Sequence, residues 1–183
     1  VLTGILPTIR KIDLTLENLT PIERYRALCE ALKKLRGTDH LELKIDGIDE
    51  LMTRHDSPLM EGCNTGFQVH LQVKPDEFVE KYNIAQAIAG PALACATNSP
   101  ILFNRRLWHE TRIALFQQSV DVRTAGDNLR NRSARVMFGN SWVKKSILEI
   151  YQEDIMRFKV LLGSTNESKD PFKELAHGRI PSL

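Results

Sequence analysis

Apolar and polar positions alternate most clearly in two stretches of the chain. Leu41, Leu43 and Ile45 alternate with Glu42, Lys44 and Asp46, and Phe67, Val69, Leu71 and Val73 alternate with Gln68, His70 and Gln72. A period of two sends successive side chains to opposite faces, so each stretch reads as a half-buried strand. Gly47 ends the first strand, and the second is the clearest strand in the sequence. Elsewhere the period is helical. Tyr25, Leu28, Leu32 and Leu35 recur at helical spacing, Gly37 closes that helix, and Thr20-Pro21-Ile22-Glu23 reads as a capping box with proline at the first helical position. Pro75-Asp76-Glu77 opens a second helix carrying Phe78, Tyr82, Ile84, Ala85 and Ile88. Gly90-Pro91 should kink or break it, and Asn98-Ser99-Pro100 is a stop signal. Leu107, Thr111, Leu115 and Ser119 share one face of a helix expected over 105–120, and Ser141 is expected to cap a helix carrying Val143, Ile147, Ile150, Tyr151 and Phe158. Residues 48–65 read as irregular or as short elements, 121–140 as a long polar loop, and Asp170-Pro171 as the start of a short final helix.

Strands and helices are thus mixed without a regular β-α-β beat, and the link between the two alternating stretches is long. The pattern predicts an α+β domain, an antiparallel sheet with several helices packed on it. At 183 residues the chain suits one domain with a sizeable core.

Charge narrows the function little. Twenty-five basic and 23 acidic residues leave a net charge of +2, which gives no strong pull toward nucleic acid or a membrane surface. The 3 cysteines contain no C-x-x-C pair, so a reduced cytoplasmic setting fits best. The longest apolar run, within Ile84–Ala96, is interrupted by Gln86, Gly90 and Pro91 and is too short to span a bilayer. The opening residues lack the pattern of a signal peptide. The chain starts at Val1 and stops at Arg179-Ile180-Pro181-Ser182-Leu183 as if in mid-course, so a middle portion of a larger domain is the expectation.

Several residues suit chemistry, each with a plainer alternative. Gln68, His70 and Gln72 fall on one strand face, about 7 Å apart in succession. Such a row can present amide and imidazole groups to a metal or phosphate, although a solvent-facing strand is the commoner explanation of the pattern. Arg112 has the planar fork that grips a carboxylate, or it pairs with Glu110. Arg123, Arg130, Arg132 and Arg135 suit phosphate, but no aromatic is interleaved for stacking single-stranded nucleic acid, and a solvated basic loop is the usual meaning. Glu61, Asp46, Asp49 and Glu50 are of the type that holds Mg²⁺ beside a nucleotide, at no recognised calcium-loop spacing; each is more commonly a surface charge. There is no Gly-rich phosphate loop, G-x-S-x-G or H-E-x-x-H. Cys63 lies near His55 and His70 in sequence, which does not make a catalytic pair.

An ordered set of short segments adds what these patterns lack. Met60-Glu61-Gly62, Thr65-Gly66-Phe67-Gln68-Val69-His70-Leu71-Gln72, Asn98-Ser99-Pro100, Glu110-Thr111-Arg112 and Asp121-Val122-Arg123 resemble the glutamate–cysteine ligase family. Gly4-Ile5-Leu6-Pro7-Thr8, Arg24-Tyr25 and Arg135-Val136-Met137-Phe138-Gly139 extend the resemblance along most of the chain. It implies a partial glutamine-synthetase-like catalytic domain that joins a carboxylate to an amine, with ATP and Mg²⁺, through an acyl phosphate. For the named enzymes of glutathione synthesis the acid is glutamate and the amine cysteine.

Residue by residue, the resemblance implies that Gln68 and His70 lie near nucleotide or metal, with His70 and Glu61 as metal ligands. Arg112 would bind the substrate carboxylate or stabilise the acyl phosphate. Asn98 would shape the turn below the site, and Arg123 would touch phosphate. In plant-type relatives an Asn stands at the position of His70 and an Asp at that of Gln72, so Gln72 lacks a charge. The acidic upstream strand and the downstream Arg, Glu and His strands of the family are not recognisable here, so one wall of a site, inactive alone, is the expectation. A non-catalytic binding or assembly module on the same fold is the main rival. The expected partners are small molecules, with self-association to cover open sheet edges, and neither nucleic acid nor membrane.

Overall fold

The computed structural model describes residues 2–37, 40–55, 58–123, 134–158 and 177. Among them are four α-helices, α1 (Glu23–Arg36), α2 (Phe78–Ala96), α3 (Thr111–Ser119) and α4 (Leu148–Arg157). Two small antiparallel hairpins accompany them, β1 (Leu41–Asp46) with β2 (Glu50–His55), and β3 (Ile101–Leu102) with β4 (Arg105–Arg106). The chain is α+β with antiparallel pairing, as its pattern implies.

The β1–β2 hairpin is in register from Leu41 opposite His55 to Asp46 opposite Glu50. Its alternation works as the sequence suggests: Leu43 and Ile45 are buried, while Glu42, Lys44 and Asp46 face outward. Strand β2 falls within the stretch read as irregular or short elements, and Thr53, Arg54 and His55, giving 50–55 no clean apolar period, hide it as a strand. The tight turn rests on Gly47. A Cβ there would stand 2.5 Å from the Leu107 Cα, so only glycine allows this approach. Asp49 secures the same corner, taking the Arg106 backbone N–H at 2.8 Å and its guanidinium at 2.9 and 3.1 Å.

Helix α3 packs across β1 and the 3₁₀ segment Pro58–Cys63. Ile5, Leu43, Ile45, Leu51, Met60, Cys63, Leu102, Leu107, Ala114 and Leu115 form the core. Non-directional burial of these side chains is the main favourable term holding the hairpin, the turn and the helix together. Arg36, in the last turn of α1, donates to the carbonyls of Ser119 and Asp121 at the end of α3, which ties the two helices where carbonyls lack helical partners.

Several local expectations change. Helix α1 starts at Glu23 behind Ile22, so the Thr20 capping box does not form, although Gly37 closes the helix at φ +73° as expected. Of the kink or break expected at Gly90-Pro91, the break does not occur: helix α2 continues through Pro91 to Ala96. The helix expected from 105 begins at Thr111, because 105–106 pair with 101–102 around Phe103-Asn104, both at positive φ. The last described helix starts after Ser146, whose hydroxyl accepts the Leu148 N–H at 3.3 Å, and not at Ser141. The expected helix at Asp170-Pro171 and residues 124–133 of the 121–140 loop lie outside the described residues.

The largest correction concerns 66–73. This stretch runs on without helix, turn or bend, yet pairs with no strand among the described residues. Phe67, Val69 and Leu71 are 89%, 71% and 79% exposed. Alternation predicts which faces a strand offers; it does not supply a neighbour, and none of the described elements lies alongside.

Candidate functional site

The root of that open segment is the most elaborate polar cluster among the described residues. Three distant pieces of chain meet there. The Gly4 N–H donates to the Asn98 carbonyl at 3.0 Å, and the Thr65 N–H donates to the Gly4 carbonyl at 2.9 Å. The Thr65 hydroxyl is within reach of the carbonyls of Thr3 and Gly4, at 2.8 and 2.9 Å. Ser99 and Glu110 pair as an isolated parallel bridge, which delivers Glu110 and Arg112 to the same place.

Arg112 is the hub. Its Nε donates to Glu110 Oε1 at 2.6 Å, and Nη2 donates to Glu110 Oε2 at 2.7 Å and to Asn98 Oδ1 at 2.9 Å. Nη1 donates to the Thr65 carbonyl at 2.7 Å. The side chains of Arg112 and Glu110 are only 23% and 6% exposed. The Ser99 hydroxyl, itself fully buried, donates to Glu110 Oε1. The Arg112 guanidinium above all, with the Ser99 hydroxyl, holds the Glu110 carboxyl below its ordinary pKa, against burial, which pushes it up. The ion pair with Glu110 therefore exists, but as a half-buried fork, not a solvated surface contact. Because that fork edge is engaged, Arg112 retains one Nη1 hydrogen for another partner out of its five.

Gly4 is part of this construction. A Cβ on it would lie 2.6 Å from Arg112 Cζ and Nε and from Asn98 Oδ1. The side-chain ends it would meet are held by the hydrogen bonds just described, so they cannot simply swing away. Gly4 carries no composition signal of its own; only its place in the Gly4-Ile5-Leu6-Pro7-Thr8 segment points to it.

The other candidate residues are distributed around this hub. Asn98 touches Arg112 directly. Gln68 and His70 lie beyond Thr65 on the open segment, both exposed, with Oε1 of Gln68 3.1 Å from Nε2 of His70. They share a side, as alternation requires. Arg123 is set apart, its guanidinium bracketing the Asp121 carboxylate at 2.9 and 3.0 Å. Glu61 sits in the 3₁₀ turn Pro58–Cys63. Asp49 is committed to Arg106, whose hydrogen bonds hold its carboxyl down to about 2. Burial pushes the Cys63 thiol up to about 11, which leaves little thiolate at neutral pH and argues against a nucleophile there.

Mg²⁺ demands several oxygen ligands at short range. Among the described residues no group of three or more His, Cys, Asp or Glu side chains is placed to hold a metal. The described donors therefore do not by themselves make up a Mg²⁺ site, and among them His70 and Glu61 are not gathered with other such side chains into a group of three. No helix of the described residues is long and apolar enough to cross a membrane.

Neither a curated protein nor a solved structure matches the chain. Residues 2–138, well over half of it, match the family model of glutamate-cysteine ligase family 2. That span includes Gly4, Thr65, Asn98, Glu110 and Arg112, as well as the open segment with Gln68 and His70, and the chain belongs to glutamate-cysteine ligase family 2.

Proposed function

We propose that this protein is an ATP-dependent carboxylate–amine ligase, with glutamate and cysteine as acid and amine. In this reading a substrate carboxylate oxygen attacks the γ-phosphorus of ATP and ADP leaves. The amine then attacks the acyl carbon, the amide forms, and phosphate departs as the amine loses a proton. ATP supplies the leaving group and Mg²⁺ the neutralising charge. The observation that carries the proposal is the family match over residues 2–138.

The geometry supports particular roles for this chain's own residues. Gln68 and His70 offer an amide and an imidazole side by side on an exposed face, suited to orienting phosphate or substrate polar groups. Arg112 fixes the root of that face at Thr65 and has one remaining N–H to offer a carboxylate or acyl phosphate. Asn98 holds the Arg112 fork, and Arg123 lends positive charge beside Asp121. Gln68, His70, Arg112 and Asn98 form one wall, with Arg123 set apart from it. A reaction that develops charge on phosphate oxygens needs donors on several sides and exclusion of water, so the described residues alone are expected to be inactive. The 3 cysteines form no disulfide with one another, in keeping with a reducing, cytoplasmic setting.

Phosphate release by the full-length protein, with ATP, Mg²⁺ and a panel of amino acids, tests this. Release that requires one acid–amine pair, is abolished by Arg112→Ala and falls with His70→Ala supports the reading. Silence with every pair, together with no nucleotide binding, would replace it with a non-catalytic module on the same fold.

A further inference from the structure

Glu110 and Arg112 stand two positions apart, yet more of the chain is built around their contact than a local ion pair needs. Ser99 is fixed beside Glu110 by backbone bonds, its N–H donating to the His109 carbonyl and its carbonyl accepting the Thr111 N–H, both at 3.2 Å. Its hydroxyl then donates to the Glu110 carboxylate, and each oxygen of that carboxylate also accepts from Arg112. Ser99 and Glu110 are both buried. Taking a carboxylate and a guanidinium out of water is costly, and well-packed apolar side chains would join the same segments as well or better. What the buried pair adds, and apolar packing cannot, is a fixed direction for the donors it leaves over.

One donor is left over. The paired edge of the guanidinium, Nε and Nη2, faces Glu110, and the second Nη2 hydrogen goes to Asn98 Oδ1. Nη1 gives one hydrogen to the Thr65 carbonyl, at the exposed rim of the cluster. Its other hydrogen meets no acceptor among the described residues, and it lies about 10 Å of extended chain from Gln68. An arginine with a free fork grips a carboxylate through two parallel bonds. Held as it is here, Arg112 can give only one.

We propose that Glu110, oriented by Ser99, is a positioning residue for Arg112: it turns the paired edge of the guanidinium inward and leaves a single Nη1 hydrogen to donate to one carboxylate oxygen of the acid substrate. Glu110 acts through Arg112 and touches no substrate itself. The inference rests on the ligase reading for the presence of that acid and deepens it, since it makes the grip of Arg112 single-pronged and names the residues that make it so.

Three measurements on the full-length protein test this: glutamate binding without ATP, the kinetics of phosphate release, and the NMR signals of the arginine side-chain nitrogens. The two Nη signals of Arg112 are expected to be separate, as in a guanidinium that cannot rotate, and Glu110→Gln is expected to merge them. The same variant should raise both the Kd and the KM for glutamate about tenfold and change kcat by less than about threefold. Ser99→Ala removes one hydroxyl and keeps the ion pair, so it gives a shift of about threefold in the same direction even if Glu110→Gln fails to fold. In an Arg112→Lys background, which has no fork to orient, Glu110→Gln should leave glutamate binding unchanged, whereas a Glu110 that only stabilises the fold would weaken it in both backgrounds. Glu42→Gln, which breaks an exposed ion pair on β1, is the control and should change nothing. Active protein whose Kd and KM ignore Glu110→Gln and Ser99→Ala, or respond equally in the Arg112→Lys background, overturns the positioning role and leaves the ligase reading standing. Unmodified protein that neither binds glutamate nor releases phosphate overturns both.

Discussion

Residues 41–46 and 66–73 carry the same alternating pattern and reach opposite fates. The first finds a partner across a three-residue turn, and its apolar side goes into the core under α3. The second has no described strand beside it and leaves Phe67, Val69 and Leu71 in solvent. What separates them is the neighbourhood. Strand β1 is followed by Gly47, the tight turn and a clip from Asp49 to Arg106. Residues 66–73 are followed by Lys74-Pro75 and a helix, so nothing local can fold back on them. The polar rows differ in kind too: charged and solvating on β1, neutral and hydrogen-bonding on 66–73. One stretch builds the body, and the other is presented by it.

The sharpest separation is in the core. Leu43→Ala removes a fully buried side chain and is expected to cost about 2–5 kcal/mol in chemical denaturation. Leu71→Ala, at 79% exposure, should change the stability of the monomer by less than about 0.5 kcal/mol. Equal effects would mean that 66–73 is packed like β1.

Next comes the root of the open segment. Arg112→Ala leaves the buried Glu110 carboxylate without its fork and Thr65 without its tie, and is expected to lower stability by about 2–3 kcal/mol. Arg112→Lys keeps the charge but not the paired geometry and should recover only part of this. A thermal shift no larger than that of an exposed-site alanine would mean that the segment is held by something else.

Gly4→Ala forces a methyl group against the Arg112 guanidinium and Asn98, and is expected to cost about 1–3 kcal/mol in the same measurement. Its effect should shrink in the Arg112→Ala background, since the guanidinium is then gone and Asn98 loses the hydrogen bond that holds it in place.

The smallest effect concerns the hairpin clip. Asp49 has its folded pKa lowered to about 2 from 3.8, so its contribution is complete above pH 4 and is lost as pH falls through 2. Glu110 is shifted in the same direction and adds to acid sensitivity in the same way. Asp49→Asn should flatten the stability profile slightly between pH 4 and pH 2, with no change in the exposure of 66–73.

Much of this was legible in the chain. Periodicity places β1, α1 and α3 nearly where they lie, and glycine at 37 ends α1 for the reason its missing Cβ suggests. The residue types around Glu110-Thr111-Arg112 pointed to an ion pair, and the ordered segments pointed to the family. Strand β2 was not legible, since Thr53, Arg54 and His55 blur its alternation and its existence depends on β1. The Gly4–Asn98–Arg112 junction was not legible either: it joins Gly4 to residues 94 and 108 positions away, and no local period encodes such a meeting. The pairing of 66–73 failed to follow from its pattern because a strand needs a neighbour, and alternation specifies only faces.

Trapping the activated acid tests the ligase reading most directly. The full-length protein, incubated with ATP, Mg²⁺, glutamate and hydroxylamine in place of the natural amine, is expected to form a hydroxamate together with equal amounts of ADP and phosphate, and less of each after His70→Ala. Bound nucleotide with no hydroxamate and no ADP from any amino acid would contradict it, because an acyl phosphate that forms cannot escape so strong a nucleophile.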